Sequence, residues 1–184
     1  MSSYSLKDHF LIAMPSLTDS RFSKTVAYIC EHNEDGAMGI IINQPASISQ
    51  RELFSQLKLS TNSSNDFPLL LGGPVKKNRG FVIHSAERRW KSTMSISDDI
   101  AITGSKDILE DIANNVGPNK ALIALGYAGW SANQLEQEIA ENSWLTVPAD
   151  KRIIFDTPIE RRWAASAEQL GIDLHLVSSQ IGHA

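Results

Sequence analysis

Short apolar runs separated by polar turns dominate the first half of the chain. Residues 10–14 (FLIAM) make a compact apolar run closed by Pro15. Residues 26–30 (VAYIC) make a second, rich in β-branched and aromatic side chains. Both predict strands, and the polar stretch 15–23 between them reads as a loop. EHNEDG (31–36) carries turn chemistry and an apolar run restarts at 38–42, which predicts an antiparallel hairpin. Residues 39–42 (GIII) barely alternate, so that strand is expected to be buried on both faces.

Asn43-Gln44-Pro45 ends the run, and Ser49 with Glu52 fits a capping box opening a helix with Leu53, Phe54 and Leu57 on one face. The polar loop TNSSND (61–66) follows. Residues 69–71 read as a short buried strand broken by Gly72-Gly73-Pro74, with 81–84 as its partner and 94–102 as a further strand. Ile108, Leu109, Ile112 and Ala113 form a second helical stripe stopped by Gly117-Pro118. Buried strands are expected at 121–125 and 153–155, with an extended segment at 144–147 interrupted by Pro148. Thr157-Pro158-Ile159-Glu160 predicts the start of a last helix, lined by Ile159, Trp163, Ala167 and Leu170 and closed by Gly171. The order lacks regular strand–helix alternation. It predicts a single α+β domain over 1–184, with a mixed sheet and about three to four packed helices.

LGYAGWSANQLEQE (125–138) reads as a strand-to-helix corner. With Ser131 as N-cap, Gln134 completes a capping box, and Trp130 with Leu135 has the spacing of a hydrophobic staple. Gly126 and Gly129 allow the sharp turn. The pattern is not G-x-S-x-G, and the Ser131 hydroxyl is expected to serve the helix rather than chemistry. Tyr127 has no such duty. This corner and the Gly72-Gly73-Pro74 break would expose backbone amides suited to an anion or polar ligand if they share one end of the sheet.

Composition narrows the function classes. The 184 residues are 42% hydrophobic and 21% charged, enough for a sizeable core. The net charge of -4 disfavours direct DNA binding through phosphate contacts. A single cysteine, Cys30, excludes an internal disulfide and fits a reducing compartment. The apolar run at 10–14 is too short for a signal segment, and nothing later reaches the length of a membrane span, so a cytoplasmic protein is expected.

Several residues could carry chemistry. Cys30 and His32, two apart on a strand, would share a face as a nucleophile–base pair, or be a buried thiol beside a turn histidine. His32, Glu34 and Asp35 crowd one turn, yet no metal-ligand spacing accompanies them, and no metal or cofactor is expected. Lys76, Lys77, Arg79, Arg88, Arg89 and Lys91 make the most basic stretch, suited to an anionic ligand, RNA or an acidic partner, or simply to solvated turns. Arg161 and Arg162 are expected on the surface of the last helix, with no basic recognition helix present.

The chain resembles the YqgE/AlgH family of small bacterial proteins. The resemblance rests on PSLTDSRF (15–22), EHNEDGAMGIIINQP (31–45), LGGPV (71–75), VIH (82–84), GYAGWSANQLEQE (126–138), Trp144-Leu145 and Trp163, in family order over nearly the whole chain. It implies a compact α/β-type fold with a strongly bent, partly barrel-like sheet. It implies no particular activity, although some members carry a transcriptional-regulator label. The family usually has Gly where this chain has Asn133, a tolerable change inside a first helical turn.

The leading expectation is a non-catalytic binding or regulatory module for an anionic small molecule or a protein partner. Its cleft would use Gly72, Gly73, Tyr127, Gly129, Trp130, Asn43 and His84, with Lys76, Lys77 and Arg79 as an anion patch. The alternative is a hydrolase-like enzyme with His32 or His84 as base and Asn43 orienting the substrate. Direct DNA-linked regulation, from the family label alone, is a third reading.

Overall fold

The protein is described by a computed structural model covering residues 5–15, 23–60 and 63–171. Residues 16–22 of the early PSLTDSRF stretch and 61–62 of the TNSSND loop lie outside the described residues. Among the described residues the strands are β1 (His9–Ala13), β2 (Val26–Asn33), β3 (Gly36–Ile41), β4 (Leu69–Leu71), β5 (Val75–Ser85), β6 (Thr93–Ser95), β7 (Ile100–Thr103), β8 (Ala121–Ser131) and β9 (Trp144–Pro148). The helices are α1 (Gln50–Gln56), α2 (Lys106–Ala113), α3 (Gln134–Ala140), α4 (Lys151–Phe155) and α5 (Arg162–Glu168), with a 3-10 turn at Ile159–Arg161.

The strands form one sheet in the order β6-β7-β5-β8-β3-β2-β1-β9, with β4 added alongside β8. Every pairing between these strands is antiparallel except β4 with β8, so the sheet is mixed, as its element order predicts. The sheet curls so that alternate side chains of its strands meet on one inner side. Phe10 and Ile12, Val26 and Tyr28, Ile40, Phe81 and Ile83 face one shared inner core that also takes in Ile102 of β7 and Val147 of β9. Strands from both ends of the sheet thus pack into one cluster. Trp163 and Ala167 of α5, with Ile153 and Ile154 of α4, cover part of it. The outer face divides in two. α3 packs Leu135 against Leu11, Ile29 and Ile41, while α1 and α2 pack Leu53, Phe54, Ile108 and Ile112 against Val82 and Ile123. Burying one Leu, Ile or Phe side chain contributes about 1.5–3 kcal/mol, so alternation fixes each strand's facing strongly.

The β2–β3 hairpin forms as expected, and residues 39–42 are buried. The Ser49–Glu52 capping box opens α1 with both of its reciprocal bonds. Several expectations change. Residues 81–84 pair with β7 and β8, not with β4, because both β4 and β5 flank β8. The run 94–102 is a hairpin of β6 and β7, since Ser97 turns the chain and accepts from the amides of Asp99 and Ile100. Ile153–Phe155 belongs to helix α4, started by Asp150, whose carboxylate accepts from the Arg152 amide, which raises the α-helices to five. The last helix starts not at Thr157 but through Pro158 and the 3-10 turn, and Leu170 is exposed. Among the described residues no helix is long and apolar enough to cross a membrane.

Candidate functional site

The two glycine stretches do meet. Gly72 donates to Leu125 O at 2.8 Å and its own carbonyl accepts from the Ile41 amide at 2.8 Å. The chain then crosses β8 in leaving β4 for β5. A Cβ on Gly73 would lie 2.1 Å from the Tyr127 carbonyl carbon, and a Cβ on Gly126 2.5 Å from Gly73 O. Backbone therefore rests on backbone, and Gly72, Gly73 and Gly126 are buried. This corrects the expectation of exposed amides at this crossing: the Gly72 amide is bonded within the fold, and the Gly73 backbone is buried against β8. Gly126 has a second duty. Its φ of +78° flips the facing of β8. Leu122 and Ala124 point inward before it, whereas Tyr127 points inward and Ala128 and Trp130 outward after it. One strand can thus serve both halves of a curled sheet. The corner expected at 126–130 is therefore strand, continuing to Ser131.

Beside the crossing, β5 bulges. Val75 pairs with Tyr127 and Gly80 with Leu125, so residues 76–79 loop out of register. Lys76, at φ +48°, Lys77, Asn78 and Arg79 are all exposed there. A matching bulge in β2 sits between Ile29 and Glu31. Cys30 and Glu31 consequently fall on the inner side, and His32 turns to the outer one. Between these bulges lies an open groove of about 510 Å³ at the end of the inner face. Met38, Phe81, Tyr127 and Gly129 line it, with Arg79 on one wall and Glu31 and Asp35 at the hairpin end. Arg79 stacks 5.1 Å from the Phe81 ring centre, and Phe81 meets Tyr127 edge to face at 5.9 Å. Arg79 makes no ion pair among the described residues.

The structure thus brings Tyr127, Gly129, Trp130 and Arg79 to one groove and leaves the other candidates out of it. Asn43 is a tie within the fold: its Oδ1 accepts from the Val26 amide and its Nδ2 donates to Lys24 O. His84 is 0% exposed. Its Nε2 lies 2.7 Å from Thr103 Oγ1, its Nδ1 2.8 Å from Ser85 O, and Thr103 Oγ1 2.7 Å from Thr93 Oγ1. The Trp90 amide also donates to Thr93 Oγ1, at 2.6 Å. Nδ1 faces a carbonyl and so carries a proton; with burial favouring the neutral ring, Nε2 accepts from Thr103, which in turn accepts from Thr93, and the ring is fully satisfied. Burial accordingly pulls its pKa below the usual histidine value.

His32 stands on β2, separated from β5 in the sheet by β3 and β8. Its Nδ1 accepts from the Leu6 amide at 2.9 Å and its Nε2 faces Glu136 of α3 at 3.4 Å. Cys30 points to the inner core, where burial raises its thiol pKa above the ordinary range. The bulge has therefore separated Cys30 from His32, against the expectation that they share a face. No cluster of three or more potential metal ligands occurs among the described residues.

The cap at α3 is only half the expected box. Gln134 accepts from the Ser131 amide at 3.0 Å, but Asn133 occupies the N-cap at φ +65°. That left-handed position, rather than a helical one, is where glycine is at ease and asparagine is the next best choice. Glu138 was not singled out by its sequence context. One oxygen accepts from both indoles, Trp130 Nε1 at 3.0 Å and Trp144 Nε1 at 2.9 Å, and the other from Gln134. Arg162 also departs from expectation, being only 2% exposed. Its guanidinium donates to Ile42 O and Thr157 O, and burial lowers its pKa to about 10. Of the remaining basic residues, Arg88 pairs with Asp111 and Arg89 donates to Thr93 O and Ser95 Oγ, so both serve local structure.

A curled mixed sheet with one helix-covered inner core and two helical outer packs defines an α+β half-barrel. The chain belongs to the AlgH-like family, whose sequence profile matches residues 10–175. It is 56% identical over 181 residues to a UPF0301 protein of Saccharophagus degradans, covering 98% of this chain and 89% of that one. A UPF0301 protein of Nitrosococcus oceani is 50% identical, with 97% and 96% covered. The solution structure of the AlgH protein from Pseudomonas aeruginosa superposes with a TM-score of 0.79 at 45% identity, covering 100% of both chains.

Proposed function

We propose that this protein is a non-catalytic binding module, and that its ligand is a small anionic molecule held in the inner-face groove. The ligand brings its anionic group to Arg79 and an apolar or aromatic part to Met38, Phe81 and Tyr127. The observation that supports this most is Arg79 itself: a guanidinium fork stacked on Phe81, on the wall of an open groove, with no carboxylate partner among the described residues. Lys76 and Lys77 add positive charge from the same bulge. Glu31 and Asp35 at the other end disfavour a long polyanion such as a nucleic acid. A transcriptional role would then run through ligand or protein contacts rather than through DNA.

The hydrolase alternative finds less support. His84 is sealed in its hydrogen-bond chain, His32 lies on the outer face, and the Cys30 thiol is buried. Thermal shift against nucleotides, polyphosphate and acidic metabolites tests the reading. At least one class should stabilise the wild type, with the effect lost in Arg79→Ala and reduced in Tyr127→Ala. A flat response across the panel, or an unchanged response in both variants, overturns it.

A further inference from the structure

A second cavity lies behind the groove, on the outer face of β5, and no candidate discussed above except Arg79 touches it. Its volume is about 290 Å³. Leu53 of α1 and its C-cap residue Leu57, Leu109 of α2, Val82 of β5 and Leu125 of β8 form its apolar lining. Leu53, Val82 and Leu109 are buried, whereas Leu57 and Leu125 remain half-buried at the opening. Gly80 keeps space in it: a Cβ there would approach nothing closer than 4.0 Å.

The charges around this cavity are one-sided. Among the described residues, Arg79 and Lys106 are its only ionisable lining groups, in a chain of net charge -4. Neither makes an ion pair among the described residues. The nearest acid in sequence, Asp107, is occupied, accepting from Ser105 Oγ and from the amides of Ile108 and Lys91. An apolar cleft with a cationic rim and no acid in its lining complements an amphiphilic anion. A planar carboxylate matches the guanidinium fork, and small-ligand sites combine such walls with a few polar groups.

We propose that this cleft binds a small monocarboxylic acid with an acyl or aryl body, its apolar part between α1 and α2 and its carboxylate toward Lys106 and Arg79. This site shares Arg79 with the inner-face groove but has its own apolar walls and its own cation, Lys106. Because Arg79 borders both, the variants that test it are Gly80→Leu, which fills the cavity, and Lys106→Glu, an exposed change that leaves the core intact.

The experiment is a methyl NMR titration of the full chain with octanoate, with octanol and inorganic phosphate in parallel. Octanoate should shift the Leu57 and Leu109 methyls saturably, octanol should bind about tenfold more weakly, and phosphate should leave these methyls unmoved. Gly80→Leu should abolish the octanoate shifts, and Lys106→Glu should weaken them about tenfold. No saturable shift at millimolar octanoate overturns the proposal. So does octanol binding as tightly as octanoate, or octanoate binding unchanged in Lys106→Glu. Groove residues Met38 and Tyr127 report separately, so failure of one site leaves the other readable.

Discussion

Two neighbouring stretches of the β5–β8 pair use unusual backbone for opposite ends. At the crossing, Gly73 and Gly126 bring two backbone segments into direct contact and their surroundings are fully packed. Three residues beyond Gly73, the bulge at 76–79 in β5 also departs from regular pairing, but it exposes its side chains, and Arg79 is left without an acidic partner among the described residues. The crossing spends backbone freedom on closing the fold. The bulge spends it on presenting side chains to a groove. A glycine-rich motif is therefore not by itself a sign of a ligand site. What separates the two is whether the groups nearby already have partners.

The largest expected effect breaks the crossing. Gly126→Ala should cost about 3 kcal/mol or more, since it combines a left-handed φ with a Cβ driven into Gly73 O. Chemical denaturation measures it, and a loss below about 1 kcal/mol would show that the crossing relaxes easily. Glu138→Ala should cost about 1–3 kcal/mol by removing the acceptor that two indole N–H groups share. It should also change Trp fluorescence, because it removes the carboxylate that both indoles share.

The His84 chain gives a pH dependence. Burial favours the neutral ring, so the unfolded chain takes up the proton first. The stability this contributes is complete above the ordinary pKa of 6.5 and is lost as pH falls below it. Melting curves from pH 8 to pH 5 should fall less steeply in His84→Gln than in the wild type; parallel profiles would contradict the assignment. The smallest effects belong to the groove. Gly129→Ala, whose Cβ would meet only Tyr127 Cε2 at 3.5 Å, and Arg79→Ala should each change stability by less than about 0.5 kcal/mol. A large loss in either would mean that the groove is structural after all.

Local signals were legible in the sequence, and long-range ones were not. The Ser49–Glu52 box and the β2–β3 hairpin depend on residues a few positions apart, and both formed. Ile153–Phe155 reads equally well as strand or helix, because a short apolar run has no period; the Asp150 cap decided it. The facing flips at Gly126 and at Cys30–Glu31 invert side-chain alternation without changing composition, so Tyr127, Met38, Phe81 and Glu31 could not be assembled into one groove beforehand. Arg162 looked like surface charge because its acceptor, the Ile42 carbonyl, lies 120 residues away. Four of the expected site residues, Tyr127, Gly129, Trp130 and Arg79, did converge, but around side chains rather than around free glycine amides.

The account's central claim is that the groove between the two bulges binds a small anion through Arg79. An amide-resolved NMR titration with the ligand class that gives the greatest thermal stabilisation tests it most directly. The claim predicts saturable shifts confined to Met38, Phe81, Tyr127 and Gly129 in the wild type, and their disappearance in an equally stable Arg79→Ala protein. Shifts that persist undiminished without the guanidinium, or that map to the outer face around His32, would contradict it.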